Sequence, residues 1–273
     1  MACAAIVVAL GAGAAAAAMP PPGVIVTIRV GENAYGVGVD PATDTVYATN
    51  ADDGTVSVIN GATNTVTATI PVGAYPVGVG VDPATGTVYV TNEDDRTVSV
   101  INGASSTVIS IIPVGASPAG VAVNPATDTV YVTNANGNTV SVINGATNTV
   151  TAAIPVGPSP AGVAVNPATG TIYVTNEGDH TVSLINSATN TVTAAISVGN
   201  APNGVAVNPA TSAGYVTNGG NSVSVLGATT PACGAHIPRV VQFVPVRPAM
   251  AYNRRSATGS QFPEFLVRAA TAR

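Results

Sequence analysis

The chain alternates short runs of Val, Ile and Thr with short runs of Asn, Asp, Gly and Pro, and it does so on a fixed beat. The stretch from Gly120 to Gly157 shows one full unit. Its apolar segments are Gly120-Val121-Ala122-Val123, Thr129-Val130-Tyr131-Val132-Thr133, Thr139-Val140-Ser141-Val142-Ile143 and a longer run from Thr149 to Val156. Each is rich in β-branched residues and too short for a typical helix, so each is predicted to be a strand. Between them stand Asn-Pro-Ala-Thr-Asp, Asn-Ala-Asn-Gly-Asn and Asn-Gly-Ala-Thr-Asn. Pro fixes φ, Gly admits positive φ, and Asn or Asp bonds to nearby backbone, so these stretches are predicted turns. Apolar residues fall on both faces of the strands, as sheets stacked face to face require.

The unit repeats every 42 residues without drift. Asp40, Asp82, Asn124, Asn166 and Asn208 each open Pro-Ala-Thr, and Tyr47, Tyr89, Tyr131, Tyr173 and Tyr215 follow seven residues later. A fixed period of this size means a solenoid, a propeller or an array. Four short antiparallel strands per unit point to a propeller blade, whereas the rungs of a β-helix are much shorter. The first strand mixes Val with Gly or Ala, as in Val37-Gly38-Val39, which suits the crowded innermost position. The recurring Tyr is expected to pack between blades.

Tyr89-Val90-Thr91-Asn92, Tyr131-Val132-Thr133-Asn134 and Tyr173-Val174-Thr175-Asn176 resemble the YVTN-type β-propeller repeat, with close copies at Tyr47-Ala48-Thr49-Asn50 and Tyr215-Val216-Thr217-Asn218. The resemblance runs from Val24 to about Gly227. It implies a propeller and an exported, periplasmic or surface-layer setting. It does not imply one activity, because propellers host binding proteins and enzymes alike. Members of that family often have seven blades, and this chain has fewer copies.

The expectation is therefore an all-β chain, a β-propeller of four-stranded antiparallel blades, five in number. Four copies hold all four strands, and the fifth, from Gly204 to Leu226, lacks the last. Val24, Ile28, Val30 and Gly31 stand one period before Val66, Ile70, Val72 and Gly73. Residues 24–31 are thus expected to supply the missing strand and close the ring, removing an open edge. The segment Val240 to Val246, which mimics Val150 to Val156, competes for the same slot. An open or incomplete propeller is the alternative.

Composition adds compartment and partner. Residues 2–19 carry no charged side chain, so residues 1–22 read as a signal peptide or an N-terminal apolar anchor, with cleavage near Ala18. Residues 23–230 form the repeat body, and 231–273 a basic tail. The body holds twelve acids against Arg29 and Arg96, while the tail holds six arginines and one acid. An acidic body argues against nucleic acid as partner. Two cysteines, Cys3 and Cys233, support no disulfide framework. The expected setting is periplasmic, cell-surface or secreted, open to envelope association, with a monomer as the assembly state.

Candidate chemistry lies where the copies differ. The turns between second and third strands vary, and so do the connections between units. In an up-and-down blade both sets fall at one end, and loops on a rigid scaffold carry recognition. The first two turns contribute Asp52, Asp53, Glu93, Asp94, Asp95 and Arg96 as candidate ligand-binding residues. The next two contribute Asn136, Asn138, Glu177, Asp179 and His180, and the connections contribute Tyr35 and Tyr75. The carboxylates are hard oxygen ligands, but no loop has a recognised calcium spacing, so weak Ca²⁺ binding is the most they are expected to show. No transition-metal site and no cofactor are expected. A Ser-His-Asp set drawn from Ser141 or Ser183 with His180 and Asp179 competes with a packing role for serines that recur in every copy. The expected function is a non-catalytic exported scaffold that binds a ligand or protein at the loop end. An exported hydrolase of the lactonase-like propeller kind is the alternative.

Overall fold

The computed structural model describes residues 23–227, which are all-β. The expected segments 1–22 and 231–273, with the competing strand at Val240, lie outside the described residues. Blade one contains β1 (Ala34–Asp40), β2 (Thr45–Asn50), β3 (Thr55–Asn60) and β4 (Thr65–Pro71). Blade two contains β5 (Pro76–Asp82), β6 (Thr87–Asn92), β7 (Thr97–Asn102) and β8 (Thr107–Pro113). Blade three contains β9 (Pro118–Asn124), β10 (Thr129–Asn134), β11 (Thr139–Asn144) and β12 (Thr149–Pro155). Blade four contains β13 (Pro160–Asn166), β14 (Thr171–Asn176), β15 (Thr181–Asn186) and β16 (Thr191–Ser197). Among the described residues blade five has three strands, β17 (Pro202–Asn208), β18 (Ala213–Asn218) and β19 (Ser222–Leu226). Every blade is an antiparallel meander in chain order.

The turns have local causes. The carboxylate or amide oxygen of Asp40, Asp82, Asn124, Asn166 and Asn208 accepts the N–H two residues on, closing an Asx turn. Asn60, Asn144 and Asn186 accept the N–H three residues on in the turn before the fourth strand. Gly61 N–H donates to the Asp44 carbonyl, so these two turn sets share one end. Ala51 N–H donates to the Asn33 carbonyl, which puts the other turns and the inter-blade connections together at the opposite end, the loop end.

Blades pack face to face through four apolar clusters. In the cluster between blades two and three, Tyr89, Val98, Val100 and Ile112 meet Val130, Val132 and Ile143 of the next blade. The tyrosine is the largest side chain of each cluster, which agrees with the packing role read from the sequence.

A Thr and a Gly stitch each blade to the next. At Gly120 the β9–β10 ladder is interrupted by a bulge. Thr133 Oγ1 fills the gap by accepting Gly120 N–H at 2.8 Å, and it donates to the Ala161 carbonyl of blade four at 2.7 Å. Thr91 reaches the Ala119 carbonyl and Thr175 the Asn203 carbonyl in the same way, both at 2.7 Å. The close approach leaves no room at Gly120, where a Cβ would stand 2.5 Å from the Ala161 carbonyl oxygen.

Within the described residues the ring does not close, and the expected strand at 24–31 does not form. Residues 23–30 have no strand pairing, and Val24 and Ile25 are 88% and 90% exposed. The reason lies in where the anchored segment stands relative to β19. Gly31 N–H donates to Asn50 Oδ1 and Glu32 N–H to Asp53 Oδ2, as Gly73 and Ala74 do to Asn92 and Asp95. The segment is therefore tied to blade one, at the opposite end of the row from β19. On β1, Val37 and Val39 stay 67% and 53% exposed, so no blade covers that face. The described residues form an open arc of five blades, which is the alternative weighed from the sequence.

The stitch yields a paired prediction. Thr133→Val leaves the part-buried Ala161 carbonyl and Gly120 N–H without their partner, at a cost of roughly 1–3 kcal/mol. Thr217, the same position in blade five, is exposed and has no following blade among the described residues, so Thr217→Val is expected to cost well under half as much. Denaturant unfolding of the two variants measures the difference.

Candidate functional site

The loop end collects every residue proposed from the turns and connections, but most of these side chains brace backbone. Asp53 Oδ2 accepts Glu32 N–H at 2.8 Å and Asp95 Oδ2 accepts Ala74 N–H at 2.7 Å. Each carboxylate thereby pins the connection entering its own blade. In later copies a different position takes over and pins the connection leaving the blade. Asn138 Oδ1 accepts Ser159 N–H at 3.0 Å, and His180 Nδ1 accepts Ala201 N–H at 3.1 Å. An accepting Nδ1 places the proton of a neutral imidazole on Nε2. Asp52 Oδ1 accepts Asn33 Nδ2–H at 3.2 Å, and Asn136 Nδ2–H donates to Ser117 Oγ at 2.6 Å.

The remaining candidates are spread along the arc. Asp94, Arg96 and Glu177 are exposed, Glu93 is half-buried, and Tyr35 projects with 68% of its surface open. Tyr75 is half-buried and holds a left-handed backbone at φ 54°. Asn33, Ser117, Ser159 and Ala201 take the same conformation at the same place in their connections. This is a turn requirement of the repeat, met even by a bulky residue that rarely adopts it. Among the described residues, no three His, Cys, Asp or Glu side chains gather as a metal site would require.

The serine arrangement is structural. Ser141 and Ser183 are buried, and each Oγ accepts an N–H of the preceding strand's Asn, Asn134 or Asn176, at 2.9 Å. Asp179 Oδ1 accepts Thr181 Oγ1–H, and His180 is engaged with Ala201. Neither side chain is set to take a proton from a serine. Asn50 and Asn92 show the full motif, with Nδ2 donating to the Thr and Ser of the third strand while Oδ1 holds the connection.

Sequence reasoning missed a cluster at the opposite end, between blades two and three. Asp82 is completely buried, and its Oδ2 has no hydrogen-bond partner. Nearby stand the Tyr89 phenol and Asp128, whose side chains both crowd Gly145. Burial, then the charges of Asp128 and Asp82, push the Tyr89 hydroxyl up to about 12. Burial, then Asp82, raises the Asp128 carboxyl. Asp40 fills the position of Asp82 in blade one and Asn124, Asn166 and Asn208 fill it in the later blades, so comparing copies marks Asp82 as one of two charges there. The same comparison reveals no partner for it.

Two outcomes are expected at this cluster. Tyr89 is protonated in the folded chain and has a raised pKa, so its neutral form supports the fold fully below the ordinary tyrosine value near 10. That support falls away as pH rises from there through about 12; melting temperature against pH, compared with Tyr89→Phe, measures it. Asp82→Asn keeps the Asx turn, removes a buried charge, and is expected to raise the melting temperature at neutral pH and lower the Tyr89 titration.

No family model matches this chain, and no curated protein matches it. Solved structures do. The arc is similar to hydrazine synthase of Kuenenia stuttgartiensis, with a TM-score of 0.64 at 22% identity, covering 69% of this chain and 57% of that one. It is similar to a functionally unknown protein from Desulfotomaculum acetoxidans DSM 771, with a TM-score of 0.65 at 17% identity, covering 72% and 66%. It is also similar to the β-propeller domain of Myceliophteria thermophila Cps50 (Swd1), with a TM-score of 0.67 at 11% identity, covering 79% and 71%. The matched region thus spans 57% and 66% of the first two proteins' lengths. At these identities the likeness carries the architecture alone: the chain is built on the β-propeller fold.

Proposed function

We propose that this chain is a non-catalytic binding or structural scaffold of the YVTN type, working outside the cytoplasm and meeting a protein or small molecule at its loop end. One observation carries the reading. The loop-end backbone is held in place by the same kind of bond in successive copies, while the side chains displayed on it change from copy to copy. Asp53, Asp95, Asn138 and His180 do the holding. Tyr35, Asp94 and Glu177 are displayed. A rigid frame with varied exposed groups is how loops on scaffolds recognise ligands. The apolar stretch before residue 20 is the support for export. Nucleic acid is excluded from the proposal by the acidic body, and no resident cofactor is part of it.

Titration of envelope oligosaccharides and short peptides against the isotope-labelled chain tests the site. Amide shifts are expected to cluster at residues 32–35, 51–54, 93–96 and 177–180. Shifts confined to the turns at 40–45 and 60–65 would contradict it. Efficient lactone hydrolysis abolished by His180→Ala or Asp179→Ala would replace the scaffold with a hydrolase. Calcium is expected to bind these loops no tighter than roughly 10⁻³ M, the weak end of protein calcium sites; calorimetric titration with CaCl₂ checks this.

A further inference from the structure

The interface between blades occurs four times within the chain, and each half of it is exposed once more at the two ends of the arc. On blade five the outgoing half is bare. Tyr215 is 44% exposed, whereas its counterparts Tyr47, Tyr89 and Tyr131 are 1% exposed. Val223 and Val225 are 56% and 63% exposed, whereas Val98 and Val100, their counterparts in blade two, are fully buried. Gly204 keeps the small residue that elsewhere admits the next blade's carbonyl, and Thr217 keeps the hydroxyl that elsewhere donates to it. On blade one the incoming half is bare. Val37 and Val39 hold the positions of Val79 and Val81, which pack into the first interblade cluster.

We infer that blade five of one chain docks on blade one of a second copy, through the same interface that joins the blades within a chain. The occupant follows from complementarity already realised four times: the surface that fits blade five is the face that β5, β9, β13 and β17 present, and β1 presents it too. The register adds a second contribution. Residues 24–31 lie one period before the fourth strand of blade one and are anchored to blade one at Gly31 and Glu32. When blade one of the second copy docks, its residues 24–31 stand where blade five of the first lacks a strand. Val24, Ile25 and Val26, exposed in the single chain, then pair along the open edge of β19. The contact is head-to-tail, so it closes into a ring if the rotation permits and otherwise propagates as a filament.

Sedimentation of the full chain over a range of concentrations tests this, together with two blocked variants. Gly204→Ala adds a methyl that meets nothing closer than Thr217 Oγ1 at 3.1 Å within the chain, but would collide with the incoming carbonyl of a partner. Val37→Asp with Val39→Asp blocks the other half at positions already exposed. The wild type is expected to self-associate as concentration rises. Each variant alone is expected to stay monomeric with an unchanged circular dichroism spectrum. Mixed together they are expected to form a one-to-one dimer and nothing larger, since one intact head and one intact tail remain. A wild type that stays monomeric at every concentration overturns the inference. Association that survives either single variant, or a mixture that fails to pair, overturns it as well.

Discussion

The structure depends on how closely the innermost strands approach one another. A carbonyl of each blade sits against the glycine of the blade before it, and a threonine hydroxyl in that earlier blade binds the same carbonyl. Without the glycine the approach is blocked, and without the hydroxyl a part-buried carbonyl loses its partner. The threonine also repairs the ladder gap that the bulge opens in its own blade. One residue thus satisfies groups on both sides of an interface, which explains its recurrence better than strand propensity does. The tyrosine cluster behind this stitch supplies most of the apolar burial.

Such a frame is stabilised by nearest neighbours, so its ends differ from its middle. Blades two, three and four are covered on both faces, whereas among the described residues blades one and five each have a neighbour on one face alone. The exposed valines of β1 and β19 are the visible cost. The loop end inherits its rigidity from the frame: side chains at Asp53, Asp95, Asn138 and His180 serve the backbone, which leaves neighbouring positions available for display.

Strands and turns were legible in the sequence because their causes are local. An Asx residue before Pro-Ala-Thr closes its turn with its own side chain, and alternating Val and Thr suit a pleated surface buried on both sides. The loop-end assignment was legible because meander topology dictates which connections share an end. Closure was not. Register says which slot residues 24–31 match, but whether that slot lies in the same chain depends on curvature summed over five blades. The roles of Asp53 and His180 were hidden because they bond to backbone 21 residues away, which leaves no side-chain pattern to read. The Asp82 cluster was hidden for a related reason, since its members come from two blades and different repeat positions.

The central claim is that an open arc is held by pairwise stitches between successive blades. Hydrogen exchange resolved along the dilute chain tests it most directly, because amide protection reports local stability. The account predicts strong protection in β6, β10 and β14, with weak protection in β19 and in residues 24–31. Protection of β19 and of residues 24–31 equal to that of β11 and β12 would contradict it, because that pattern requires the two ends to meet within a single chain.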